Sequence, residues 1–120
     1  MDDIITVLVV DDNTTNRLLP ALILRDVGCV VHESKDAEEA LEMFQKHVFS
    51  HVLLDISMPR ISGIELCKLL RDNEACKNVK LIAYTSHAQE ALASQFLSQG
   101  FDAVLIKPIT KSKLIRLILG

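Results

Sequence analysis

A chain of 120 residues, 49% hydrophobic and 24% charged, is long enough to bury one core and too short for two, and too apolar to stay disordered. Its net charge of −3 argues against an electrostatic footprint for nucleic acid. No apolar run approaches the roughly 18 residues that a membrane span needs.

The start, Met1-Asp2-Asp3, lacks the basic segment of a signal peptide, so a cytoplasmic location is expected. Cys29, Cys67 and Cys76 are odd in number and show no Cys-x-x-Cys spacing, which suggests neither a disulfide framework nor a zinc site. Lys111, Lys113 and Arg116 cluster near the end of the chain, where basic side chains complement a helix dipole.

Residues 4–10 are apolar and β-branched apart from Thr6, and end at Asp11-Asp12-Asn13. Such a run without alternation predicts a strand buried on both faces, as in a parallel sheet. Asn13 or Thr14 then caps a helix to about Val27, stopped by Gly28 and expected to kink at Pro20. Its Leu19, Ile23 and Val27 form the expected core side, leaving Leu18 and Leu22 on the flank.

Residues 30–34 are short and partly polar, as suits an edge strand. Asp36, with Glu39 three residues on, predicts a capping box for a helix that buries Ala37, Ala40, Leu41 and Phe44 and ends near Lys46. A central strand follows over about 51–55. Ser62 and Glu65 open a third helix to about Asn73, with Ile64, Leu66, Cys67, Leu69 and Leu70 on its apolar side, and 73–78 read as a polar loop.

The fourth strand is expected over 80–85. A fourth helix then runs from Ser86 or His87 to about Gln99; its Ala88, Ala91, Ala93 and Ser94 have little bulk and predict weak anchoring. Residues 103–107 form the fifth strand, followed at once by Pro108. Thr110 caps a closing helix, 111–119, with Leu114, Leu117 and Ile118 inward.

Strand and helix alternate five times. Right-handed crossovers then give an α/β, doubly wound, three-layer sandwich with a five-stranded parallel sheet in the flavodoxin-like order 2-1-3-4-5. One domain over 1–120 is expected.

In that order Asp11, Asp12, Asp55, Thr85 and Lys107 stand at the carboxyl ends of neighbouring strands, where open α/β sheets bind ligands. Singly, each has a plainer role: helix-initiating acids, a turn residue at Asp55, a cap at Thr85, a surface lysine at Lys107. Together they define a pocket in which three carboxylates repel unless a cation joins them or some become protonated. Oxygen ligands favour Mg²⁺ over a softer metal. A hard cation, a lysine and a hydroxyl around one carboxylate equip a site for phosphoryl transfer, with Asp55 as the acceptor.

Val10-Asp11-Asp12-Asn13, the run Asp55-Ile56-Ser57-Met58-Pro59 closed by Gly63, Thr85-Ser86 and Lys107-Pro108 together resemble the receiver domain of two-component response regulators, across essentially the whole chain. The resemblance implies that Asp55 accepts a phosphoryl group from a phosphohistidine on a histidine kinase or histidine phosphotransfer domain. It also implies that Asp11, Asp12, Asp55 and the backbone carbonyl of Ser57 hold Mg²⁺. Thr85 and Lys107 would bind the phosphoryl oxygens, Lys107-Pro108 would be cis, and a conformational switch would regulate a downstream protein.

The chain departs from the family where an aromatic residue usually stands, at Val104, and at Ser86, usually Ala or Gly. Val104 bears on how the signal leaves the site, and Ser86 on access to the phosphoryl group. Ser57 and His87 fall where the family tunes autodephosphorylation. An ending after the fifth helix suits a module acting alone or as a relay.

A small Mg²⁺-dependent phosphohydrolase working through an aspartyl-phosphate is the enzymatic alternative. It would want a general acid two residues after the nucleophile, where Ser57 stands, and a cap domain. A receiver-like interaction module that no longer takes phosphate is a third reading, disfavoured by the intact set of five residues.

Overall fold

Successive side chains of a strand point to opposite faces, so a sheet that is apolar on both faces must be covered by helices on both. The computed structural model describes residues 4–86 and 90–120, with 75 and 90–93 described in backbone only, and shows that solution. In chain order the elements are β1 (Thr6–Val10), α1 (Thr14–Asp26), β2 (Val30–Ser34), α2 (Ala37–Lys46), β3 (His51–Asp55), α3 (Gly63–Arg71), β4 (Lys80–Thr85), α4 (Glu90–Ser98), β5 (Ala103–Ile106) and α5 (Lys111–Leu119). A short 3₁₀ turn, Glu74–Cys76, occupies the expected loop. The strands are parallel in the order β2-β1-β3-β4-β5, as expected.

Alternation along the inner strands divides the core in two. Leu8, Val10, Val52, Leu54, Leu81 and Ala83 face α2, α3 and α4, meeting Ala40, Leu66, Leu70 and Phe96. Val7, Val9, Leu53, Ile82 and Tyr84 face α1 and α5, meeting Ala21, Leu24, Leu114 and Ile118. The sheet is thus the shared wall of two apolar layers, and its inner strands cannot slip by one residue without exchanging them.

The helix caps follow the sequence closely. The side chains of Asn13, Asp36, Ser62 and Thr110 accept from the backbone N–H three residues on. Ser62 and Glu65 complete the expected reciprocal box. Glu39 differs: its carboxylate accepts from the N–H of Lys35, one residue before the cap, so α2 has the cap without the box. Gly28 and Gly100 take φ of +96° and +112° just beyond α1 and α4.

Two expected faces are corrected, and α4 gains a contact the sequence reading did not foresee. In α1 the buried residues are Pro20, Ala21 and Leu24, with Ile23 and Val27 partly buried, whereas Leu19 is exposed. Pro20 lies on the buried side of a helix continuous from Thr14 to Asp26, and the contact face it forms with Ala21 and Leu24 lies to one side of Leu19. In α3, Leu69 is exposed while Leu66, Cys67 and Leu70 are buried. In α4, Phe96 is buried in the α2–α4 layer beside Phe101, which anchors the C-terminal half of the helix. The expected start of α4, at Ser86 or His87, and the side chains of Ala88, Ala91 and Ala93 lie outside the described residues.

Arg71 ties this half together. It donates to the carbonyls of Gly100 and Val79 and pairs with the Asp102 carboxylate, which also accepts from the Leu81 N–H. One side chain thereby joins α3 to the entries of β4 and β5. All of this lies at the far end of the sheet from the strand tips.

At the near end the decisive residue is Gly63. A Cβ placed there would stand 2.3 Å from the Asp55 carbonyl oxygen and 2.9 Å from the Ile56 Cα, both of them backbone atoms with no freedom to withdraw. The Gly63 N–H donates to the Ile56 carbonyl at 3.2 Å, so the start of α3 is drawn directly against the end of β3. Gly63→Ala is expected to destabilise the fold by about 1–3 kcal/mol through overpacking, read as a lower midpoint in urea unfolding. An unchanged midpoint would show that the loop yields freely.

Candidate functional site

Three strands end in side chains that a core would not choose. The chain leaves β1 through Asp11, which is fully buried, and Asp12, which is exposed. β3 ends in buried Asp55 and β4 in buried Thr85. The Lys107 N–H donates to the Thr85 carbonyl at 2.7 Å, tying the tip of β5 to that of β4. Lys107-Pro108 is cis, as expected.

Four of the five expected side chains, those of Asp11, Asp12, Asp55 and Lys107, converge as the sequence predicts. One ligand atom from each of Asp11, Asp12 and Asp55 lies within 4.8 Å of the others. Lys107 Nζ stands 3.5 Å from Asp11 Oδ2 and 3.6 Å from Asp55 Oδ1. Asp11 Oδ1 accepts from the Asn13 N–H at 2.9 Å, and Asp55 Oδ1 from the Ser57 N–H at 3.1 Å. Asp11 Oδ2 is buried and accepts no hydrogen bond. Val104 is half-buried against the α2–α4 core layer. His87 lies outside the described residues.

Burial, and then the Asp11 carboxylate beside it, push the Asp55 carboxyl up from 3.8 to about 6, against the opposing pull of Lys107 and the Ser57 N–H. One ammonium does not offset three carboxylates. The donor set therefore fits a hard divalent cation: oxygen ligands in close array, one of them a buried carboxylate oxygen with no hydrogen-bond donor.

Two contributors escape sequence reasoning. Tyr84, which alternation turns toward α1 and α5, lies beneath Lys107 with its ring centroid 4.3 Å from Nζ. Arg17, one turn into α1, donates from Nη1 to the Asp11 carbonyl at 2.7 Å. Neither carries a motif; the only signal for Tyr84 was its place next to Thr85 in an alternating strand. A cavity of about 500 Å³ opens beside the ammonium, lined in part by Asn16, Leu19, Tyr84, Lys107, Pro108 and Ile109.

Fold and pocket together define a flavodoxin-like α/β protein with a carboxylate and lysine site at its strand tips. The family model of the response regulator receiver domain matches residues 7–119. Sensor protein GacS of Pseudomonas syringae pv. syringae is 34% identical over 116 residues, a match covering 94% of this chain and 13% of that protein. The chain thus spans a small part of that sensor protein.

Among solved structures, chemotaxis protein CheY4 of Vibrio cholerae superposes with a TM-score of 0.91 at 26% identity, covering 98% of both chains. A chain of the Saccharomyces cerevisiae co-crystal structure of the histidine phosphotransfer signaling protein Ypd1 with the receiver domain of its downstream response regulator Ssk1 gives a TM-score of 0.88 at 25% identity. That match covers 98% of this chain and 88% of the other. The chain belongs to the response regulator receiver domain family of two-component systems.

The raised pKa of Asp55 makes a pH-dependent claim. Below about 4 the folded and unfolded chains both hold its proton. Between about 4 and 6 the unfolded chain releases the proton first, so stability falls as pH rises, and above about 6 the full cost of the buried charge is present. Asp55→Asn is therefore expected to raise the melting temperature of the metal-free protein at pH 8, with the gain shrinking as pH falls from 6 to 4. A gain of equal size at every pH would contradict the assignment.

Proposed function

We propose that this receiver domain is a phosphoacceptor whose acceptor is Asp55. The observation that carries the reading is the position of Asp55, buried at the tip of β3 with Asp11 and Asp12 in metal-ligand range and Lys107 Nζ at 3.6 Å. A carboxylate oxygen of Asp55 attacks the phosphorus of a phosphohistidine. The new O–P bond forms as the P–N bond breaks, and the departing imidazole takes up its proton from solvent.

Lys107 offers its ammonium to the phosphoryl oxygens, and Thr85 at the end of β4 its hydroxyl. Asp11, Asp12, Asp55 and the Ser57 carbonyl are the groups that would hold Mg²⁺, which neutralises the crowded carboxylates and the incoming anion when bound. The domain acts on its own phosphoryl group only. A dedicated phosphohydrolase is the weaker reading, because the position two residues after Asp55 carries exposed Ser57 and no acid.

Residues 1–120 act as one module, in the cytoplasm, between a histidine kinase or histidine phosphotransfer domain and a downstream protein target. Net charge speaks against a nucleic-acid partner for this domain. Among the described residues no helix is long and apolar enough to cross a membrane.

Incubation with Mg²⁺ and acetyl phosphate should add one phosphoryl group to the wild type and none to Asp55→Asn, read by intact-mass spectrometry. Equal labelling of both would end the assignment of Asp55.

The donor's docking surface follows from the corrected face of α1. Leu18, Leu19 and Leu22 are 43%, 49% and 53% exposed, an apolar patch beside the cavity that Leu19 helps to line. The patch suits the helices of a histidine-bearing partner, and the likeness to a chain of the Ypd1–Ssk1 complex supports a partner of that kind. Replacing Leu18 and Leu22 with Ser should slow transfer from a protein donor at least several-fold while labelling by acetyl phosphate stays nearly intact. Equal loss with both donors would point to damage in the site, and unchanged protein transfer to docking elsewhere.

A further inference from the structure

Arg17 spends a charge in an unexpected place. Its side chain is 14% exposed, and its guanidinium rests on the carbonyl oxygen of Asp11, the oxygen of the peptide that joins the two adjacent acids. A cation there repels any divalent ion that the acids hold, so simple electrostatics gives it no place at a metal site. What the geometry offers in return is fixation.

The same guanidinium uses Nε to pair with Glu33 Oε1 at 3.2 Å, and Glu33 Oε2 pairs with Arg25 Nη1 at 3.1 Å. Arg25 Nη2 in turn donates to the Val31 carbonyl at 3.0 Å, so this chain of charges is anchored on β2. From the other side, the Asp11 N–H donates to the Ser34 carbonyl at 3.1 Å. Asp11 is thereby held at its N–H by β2 and at its carbonyl by Arg17.

Asp12 hangs directly from that carbonyl's peptide. It is exposed, and it shares the 4.8 Å ligand cluster with Asp11 and Asp55. Rotation of the Asp11–Asp12 peptide would swing its carboxylate out of range.

We propose that Arg17 is a positioning residue for the cation site: clamped by Glu33, it fixes the Asp11–Asp12 peptide and so keeps Asp12 in ligand range. The proposal rests on the reading that the three acids hold Mg²⁺. A fork that bridges a carbonyl and a carboxylate at once needs the planar guanidinium, and a lysine ammonium reaches one or the other.

The test is calorimetric titration of the whole chain with MgCl₂ for wild type, Arg17→Met, Arg17→Lys and Glu33→Gln. It is paired with melting temperatures and with acetyl phosphate labelling as a function of Mg²⁺. Arg17→Met is expected to weaken Mg²⁺ binding about tenfold or more, the usual effect of losing a group that orients a metal ligand. Arg17→Lys should recover part of that loss and Glu33→Gln should show a smaller one. Labelling at saturating Mg²⁺ should return close to the wild-type rate in all three, because the defect lies in cation affinity.

Tighter or unchanged Mg²⁺ binding in Arg17→Met would overturn the proposal, as would full wild-type affinity in Arg17→Lys, since a role of charge alone predicts both. Lower melting temperatures with unchanged Mg²⁺ affinity would assign Arg17 to the fold only and overturn it too. Should Arg17→Met fail to fold, unchanged affinity in Glu33→Gln overturns it. A wild type that binds no Mg²⁺ overturns the metal-site reading itself, and this proposal with it.

Discussion

Repulsion among carboxylates brought to one edge of a sheet is the constraint on which the rest of the structure turns. Asp11 and Asp55 are buried, yet Lys107 supplies only a single positive charge at 3.5 and 3.6 Å, and Asp55 is left with its proton held up to about 6. Such an arrangement persists only because the parts that carry it are rigid. β1 and β3 are pinned by apolar layers on both faces, Gly63 lets α3 press against the β3 backbone, and the Lys107 N–H is bonded to the Thr85 carbonyl. The core's stability is what lets an unfavourable charge cluster exist, and that cluster is what makes an added cation or a new anion consequential.

Most of the architecture was legible in the sequence, because it rests on signals of short range. A buried parallel strand shows as an unbroken apolar run, as in Val7-Leu8-Val9-Val10. The side chains of Asn13, Asp36, Ser62 and Thr110 announce helix starts by a chemistry that works within three residues. The meeting of Asp11, Asp12, Asp55 and Lys107 was legible for the same reason: each stands at the end of a strand, and the order of strands brings the ends together.

What was not legible depends on rotation and reach. Pro20 lies on the buried side of α1 with Ala21 and Leu24, and periodicity alone could not decide that Leu19 would be left exposed. Phe96 anchors α4 from a position that the small residues around it disguise. Arg17 and Arg71 act through long side chains on partners 6 to 31 positions away, with nothing in the local pattern to mark them. Such contacts become visible only when the helices have taken their places on the sheet.

Tyr84 gives the molecule a property unrelated to its chemistry. The chain contains one tyrosine and no tryptophan, so its ultraviolet emission is dominated by a single ring, buried and capped by the Lys107 ammonium 4.3 Å from its centre. Burial and the nearby acids push its phenol up to about 12, so the ring stays un-ionised across any ordinary buffer. An ammonium drawn off the ring toward a new negative charge would change the environment of the dominant fluorophore. The domain therefore carries an intrinsic optical reporter at its own pocket, readable without a dye or a label.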